Sequence, residues 1–214
     1  SAASWHARHH IERSAAIKCP TVLTQLAGTK KVQQILATPQ HDASQPSPLS
    51  RFIPDDDNGS GNASAQALRR TFTNIYPMDG TSPAGLWARE TALDPRRCGT
   101  YVLKPQREGG GNNVYRGAIP AFLRSVPEEH WGSYILMELI APPPLSNVIL
   151  RGGEVETGGV ICELGVYGTC LWDQGTGEVR RNEGAGYLLR TKGDKSEEGG
   201  VAAGFGCMDS VALV

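Results

Sequence analysis

The sequence predicts an α+β fold, helical at first and dominated by sheet in its second half. Three observations carry this expectation. Val22, Leu26, Val32 and Leu36 recur at roughly four-residue intervals, the spacing of one helix face. From Gly99 onward, short apolar runs bounded by glycine and proline replace that period. Between them the apolar run Tyr101-Val102-Leu103 feeds a loop, Lys104 to Asn113, that holds three consecutive glycines.

The elements follow in order. The chain opens in a helical-looking segment, and residues 20–36 read as helix, broken in two by Gly28, with Thr29 as N-cap of the second piece. Residues 38–65 turn to Pro, Ser, Asp, Asn and Gly, a composition that cannot build a core, and are expected to be a flexible insertion. A helix resumes over 65–76. Residues 100–103 form a strand, and 118–126 an amphipathic helix through Ile119, Phe122, Leu123 and Val126. Residues 133–140 are a buried strand, ended by the prolines at 142–144, which cannot donate to a ladder. Strands are then expected at 148–151, 159–171, 178–182 and 186–192, with Gly175-Thr176-Gly177 as a turn. No internal repeat is visible.

Composition narrows the function classes. The 214 residues are 39% hydrophobic with 26 glycines, enough for one large domain or two small ones. Lys and Arg total 21 against 22 Asp and Glu, with no basic face interleaved with aromatics, so no nucleic-acid partner is expected. No apolar run is long enough to span a membrane, and none is expected to bind one. Trp5, His6, Arg8, His9 and His10 interrupt any signal-peptide core. The five cysteines lack C-x-x-C spacing, which points away from a disulfide scaffold or zinc and toward a reducing, cytoplasmic setting.

The glycine loop is the most informative segment. Gly109, Gly110 and Gly111 carry no Cβ, so their N–H groups can converge on an anion; Lys104 adds an ammonium and Glu108 a carboxylate able to hold a metal. Those are the needs of a Mg²⁺-bound nucleoside triphosphate, although triple glycine alone is also an ordinary surface turn. Neither the P-loop motif nor the dinucleotide fingerprint occurs, since Val114 stands where the latter needs glycine. Four further segments bear on chemistry. The strand end Met137-Glu138-Leu139-Ile140 can read an adenine ring with its backbone, or be plain core. Alternation puts Glu163 on one face with Ile161 and Gly165, which would bury a charge and favour a function. Arg190 and Lys192, at i and i+2, project on one side of a strand, suited to phosphate and carboxylate, or are a solvated edge. The loop Glu198 to Gly204 is almost free of bulk and suited to closing over a ligand.

In this order the segments closely resemble eukaryotic glutathione synthetase, a ligase of the ATP-grasp superfamily. The matching blocks are residues 16–20, 24–34, 102–113, 134–138, 163–165, 188–192 and 199–204. The resemblance implies an ATP-grasp fold, in which antiparallel or mixed sheets with flanking helices sandwich ATP. It also implies that γ-glutamylcysteine is joined to glycine through an acyl phosphate, with ATP and Mg²⁺ required.

Roles are implied residue by residue. Lys30 and Lys104 touch the nucleotide. Lys104, Pro105, Gln106, Arg107, Glu108, Gly109, Gly110, Gly111, Asn112 and Asn113 wrap its phosphates, with Glu108 as Mg²⁺ ligand and Tyr115 packing nearby. Met137, Glu138, Leu139 and Ile140 form the adenine-reading edge; the family's usual lysine there is Leu139 in this chain. Glu163, Lys192 and Glu198 are further ATP-binding positions, the last normally an aspartate. Arg190, Val201 and Ala202 contact the peptide substrate, and Lys104 and Arg190 are the catalytic candidates. Val201-Ala202 matches the form that uses glycine as acceptor.

Full family members are longer, and this sequence is incomplete by comparison. The resemblance implies a start just after the family's Arg-Asp-Gly-Tyr segment, so the N-terminal portion that supplies most of the peptide pocket, two of the three Mg²⁺ ligands and the usual homodimer interface is expected to lie outside this sequence. The expectation is therefore the ATP-binding C-terminal portion of such a ligase, residues 1–214, with a lid region over about 78–160. By itself the chain is expected to be inactive without its N-terminal portion. A non-catalytic nucleotide-binding or regulatory module of the same ancestry is the alternative.

Overall fold

The computed structural model describes residues 1–39, 47–53, 61–107, 111–202 and 204–211. They divide into two units, the first made of residues within 1–107 and 112–140, the second of Gly111 and residues within 141–211. The boundary falls inside the 78–160 stretch expected as a lid.

The first unit contains helices α1 (Ala2–Arg13), α2 (Val22–Ala27), α3 (Lys30–Ala37), α4 (Gly61–Arg69), α5 (Pro83–Leu93) and α6 (Ile119–Ser125). Its strands β1 (Ile75–Pro77), β2 (Tyr101–Pro105), β3 (Val114–Tyr115) and β4 (Tyr134–Glu138) form an antiparallel sheet in the order β1-β4-β2-β3. Gly28 does divide the early helix. Thr29 sits at the expected N-cap, but its hydroxyl donates back to the Leu26 carbonyl at 2.8 Å instead of capping α3.

The helix expected over 65–76 ends at Arg69. The Arg69 guanidinium holds the turn that follows, donating to Phe72 O at 3.2 Å, Ala37 O at 2.7 Å and Asn74 Oδ1 at 2.6 Å. Beyond it Ile75 and Pro77 alternate inward as a strand, with Ile75 opposite Met137. Three residues give too short a period to be read in the sequence. Helix α5, which the sequence reading did not anticipate, packs Ala88 and Ala92 with Met78, Leu103, Ile119, Leu123 and Leu136 into the main core.

Asp79 and Ser82 open α5. Asp79 Oδ1 accepts from the Thr81 and Ser82 amides at 3.0 and 2.6 Å, and the Ser82 hydroxyl accepts from Gly85 N at 3.0 Å. Partial burial raises the Asp79 carboxyl, but these amide and hydroxyl donors outweigh it and hold the group far below its ordinary value of 3.8. A lowered folded-state pKa contributes stability that is complete above pH 3.8 and fades as pH falls toward the folded value. Acid titration of unfolding should therefore show a shallower decline below that pH in Asp79→Asn than in the parent. Superimposable acid limbs would show that the cap carries no linkage.

Two parts of the expected 38–65 insertion, residues 40–46 and 54–60, lie outside the described residues. Between them Pro48–Arg51 forms a 3-10 turn with Leu49 only 4% exposed, and α4 begins at Gly61 with Ala65 fully buried. This segment thus carries an anchoring side chain that its composition did not suggest. Leu49→Ala should lower unfolding free energy by about 2–3 kcal/mol, read as a reduced urea midpoint.

The second unit is an antiparallel sheet of β5 (Leu145–Arg151), β6 (Glu154–Trp172), β7 (Val179–Gly193) and β8 (Cys207–Asp209), in that order. The two strands expected at 178–182 and 186–192 are one, because bulged register shifts near Tyr167/Gly168 and Leu171/Trp172 let pairing with β6 continue past Gly184 and Gly186. β5 starts directly after the prolines, three residues earlier than expected.

Candidate functional site

The expected residues fall into two groups, one in each unit. In the first unit, β2 and β3 are the stems of the glycine loop, with Val102 opposite Tyr115 and Leu103 opposite Val114. Lys104 and Pro105 continue β2, facing Ile135 and Tyr134 of β4. The start of α3 closes on the loop entrance. Lys30 Nζ donates to the Arg107 carbonyl, and the Lys31 amide donates to Gln106 Oε1 at 3.1 Å. Asn113 Nδ2 donates to the Tyr115 hydroxyl at 3.2 Å. Lys30, Lys104, Gln106, Arg107, Asn113 and Tyr115 are thus gathered around one loop. Glu108, Gly109 and Gly110, including the expected metal ligand, lie outside the described residues.

The expected adenine edge closes β4. The Glu138 carboxylate is committed to the fold: it accepts from Asn74 Nδ2 and the Tyr76 hydroxyl, each at 3.0 Å. Burial, and then the hydrogen bond and charge of Glu138, push the Tyr76 phenol up; burial and the same charge raise Tyr101. The Glu138 amide donates to Asn74 O, its carbonyl accepts from Thr73 Oγ1, and the Leu139 amide donates to Thr100 O. Ile140 is 66% exposed.

In the second unit the ladder does the gathering. Glu163 stands directly opposite Arg190, and Ile161 opposite Lys192, so both cations and the carboxylate share one face. Arg190 Nη2 donates to Glu163 Oε2 at 2.7 Å. The expected burial of Glu163 is not found: its side chain is 39% exposed and that of Arg190 45%. Alternation predicts burial only where a second layer covers that face, and much of this sheet is bare. An ion pair this exposed adds at most about 1 kcal/mol; its consequence is orientation.

Lys192 is the buried member, 9% exposed, and among the described residues its ammonium donates one hydrogen bond, to Glu197 O at 3.2 Å. An ammonium has three donors, so the site retains capacity for an anion. The small-residue loop lies against the same face. A Cβ on Gly199 would stand 3.1 Å from Glu163 Oε1, and one on Gly206 would stand 3.0 Å from Thr191 O and 3.2 Å from Gly199 O. Only a loop without side chains there can approach so closely. Ser196 Oγ donates to Glu198 O at 2.7 Å. Val201 and Ala202 occupy a turn closed by Gly204 N to Val201 O and Phe205 N to Gly200 O, each 3.0 Å; Ala203 lies outside the described residues.

Sequence reasoning missed Thr191, 1% exposed between the two cations, and its partner Asp209. A threonine inside a strand whose neighbours are both charged was the available signal. A separate opening of about 400 Å³ is lined by Arg151, Glu156, Gly159, Asp194, Lys195 and Ser196, and none of the expected residues lines it.

A family model for the ATP-binding domain of eukaryotic glutathione synthase matches residues 3–213. The chain belongs to this family. The glutathione synthetase large chain of Schizosaccharomyces pombe is 42% identical over 210 residues, 98% of this chain and 39% of the relative. Human glutathione synthetase is 41% identical over 209 residues, 97% of this chain and 40% of the relative. The chain thus spans about two fifths of the length of the curated relatives it matches. A glutathione synthetase like-effector from Globodera pallida, solved in apo form, superposes with a TM-score of 0.60 at 21% identity, over 97% of this chain and 39% of that one. That likeness concerns the fold, and it agrees with the ATP-grasp expectation. No helix among the described residues is long and apolar enough to cross a membrane.

Proposed function

We propose that the chain is the nucleotide-handling portion of an ATP-dependent ligase that joins γ-glutamylcysteine to glycine. The observation that carries this reading is the convergence of Glu163, Arg190 and the buried Lys192 on one sheet face beneath the Gly199 loop. In the first unit Lys30 and Lys104, with the loop that runs on to Asn113, bind the nucleotide, Tyr115 lies beside them, and the Ile140 end of β4 reads the adenine. In the second, Lys192, Glu163 and Glu198 serve ATP while Arg190, Val201 and Ala202 receive the peptide.

The reaction follows from charge. A carboxylate and an amine do not condense at neutral pH. The cysteinyl carboxylate oxygen attacks the γ-phosphorus, and the bond to ADP breaks. Glycine's amine then attacks the acyl carbon, phosphate leaves, and the amine's proton passes to solvent. Lys104 and Lys192 stabilise the charge that moves toward ADP, and Arg190 orients the carboxylate. The loops exclude water from the acyl phosphate.

Among the described residues no cluster of three His, Cys, Asp or Glu could hold a metal unaided. Mg²⁺ suits such a chain, because it is commonly held by one or two carboxylates together with substrate phosphates. Glu108 would hold it, and its chemistry would be neutralisation of phosphate charge. The cytoplasmic setting and the homodimer belong to the same reading.

A second reading of the same family membership is a nucleotide-binding module without turnover. Phosphate release from ATP with γ-glutamylcysteine and glycine separates the two, measured with and without the polypeptide that relatives carry beyond the matched region. Release that depends on both substrates supports the ligase; Mg·ATP binding without release supports the module. Absence of any Mg·ATP binding would sink both.

A further inference from the structure

We infer that Thr191 and Asp209 form a register lock that keeps Arg190 and Lys192 on the site face, making both positioning residues. The inference rests on the reading that this face handles nucleotide. Strand residues alternate sides, so Thr191 points away from the face that its two neighbours occupy. There it is 1% exposed, and its hydroxyl donates to Asp209 Oδ2 at 2.8 Å. Asn147 Nδ2 of β5 reaches the same oxygen at 3.3 Å. Cys207, opposite Thr191 on β8, donates its thiol to the Thr191 carbonyl at 3.4 Å. The Cys162 thiol of β6, opposite Thr191, lies 3.5 Å from its hydroxyl, so all four strands converge on a polar residue at a position that alternation would otherwise give to a valine.

The need for such a lock follows from what surrounds it. Register is strongly specified where one face is apolar and buried, and weakly in glycine-rich strands without such a face. β7 carries Gly184 and Gly186, and the ladder already slips near Tyr167/Gly168. Several of the apolar residues that could fix it are exposed, Leu164 58%, Val166 79% and Tyr187 67%, while Val160 at the start of the paired stretch is buried. A slip of one residue would turn Arg190 and Lys192 away from Glu163 and put Thr191 in their place. The hydrogen bond to Asp209 penalises that slip, because it would leave a half-buried carboxylate without its Thr191 donor.

The test compares Thr191→Val, which keeps shape and removes the donor, with Thr191→Ser, which restores it. Two readouts are taken on the full chain: the Mg·ATP dissociation constant, and hydrogen exchange of peptides covering 187–193 against the rest of the second unit. Thr191→Val should weaken binding about tenfold, the scale of one hydrogen bond to a charged group. It should also speed exchange in 187–193 selectively, and Thr191→Ser should return both to near parent values. Should Thr191→Val fail to fold, Asp209→Asn, which weakens the acceptor, is expected to show the same paired changes. Parent-like exchange in a folded Thr191→Val, or exchange raised evenly across the unit, overturns the lock. If the parent binds no Mg·ATP, the functional reading fails while the exchange comparison still decides the lock.

Discussion

Gly85→Ala should be the most damaging single-methyl change in the first unit. The added Cβ would stand 2.3 Å from the Asp79 carbonyl oxygen and 2.8 Å from its Oδ2. Ordinary contact begins near 3.4 Å, so backbone must move, because the obstacle is not the end of a flexible side chain. The movement cannot be local. Gly85 N donates to Ser82 Oγ, and Ser82 Oγ donates to Asp79 Oδ2 at 2.8 Å, so the N-cap of α5 opens with it. Overpacking together with a lost cap costs about 3–5 kcal/mol, which for a unit of this size is a fall of roughly 10 °C in Tm. Calorimetry of the purified variant reads this directly; a Tm within two degrees of the parent would mean that the loop before α5 yields more easily than its hydrogen bonds indicate.

Lys192→Met should separate binding from stability. The parent buries an ammonium with one hydrogen bond among the described residues, at a cost in desolvation. Methionine fills similar space without that cost, so thermal stability is expected to hold or rise slightly. Mg·ATP affinity should fall about a hundredfold, close to 2.7 kcal/mol, the scale of a lost charge-assisted contact to phosphate. Lys104→Met should likewise weaken the nucleotide and, in an intact ligase, abolish ligation. Titration calorimetry beside a melting curve checks both halves. Unchanged affinity with raised stability would mean that Lys192 is a structural cation satisfied by the Glu197 carbonyl.

What could be read in advance depended on the range over which each signal acts. The break at Gly28 and strands β2, β4 and β6 are announced by residues within a few positions of each other. The grouping of Arg190 and Lys192 needs only the two-residue period of a strand. Strand β1 was hidden because three residues carry no period, and its reason for being extended is β4, sixty residues away. Helix α5 was missed because its alanines and glycine are small for the sake of close packing and leave no apolar stripe.

The glycine loop, the paired cations and the family resemblance were thus properties of the amino-acid order, since local spacing and composition suffice to express them. Folding alone decided that Glu163 would meet Arg190 half in solvent, that Lys192 would be the buried cation, and that Thr191 would answer to Asp209. Register and layer coverage govern those outcomes. Both arise from pairing between strands far apart in the chain, so no local pattern can encode them.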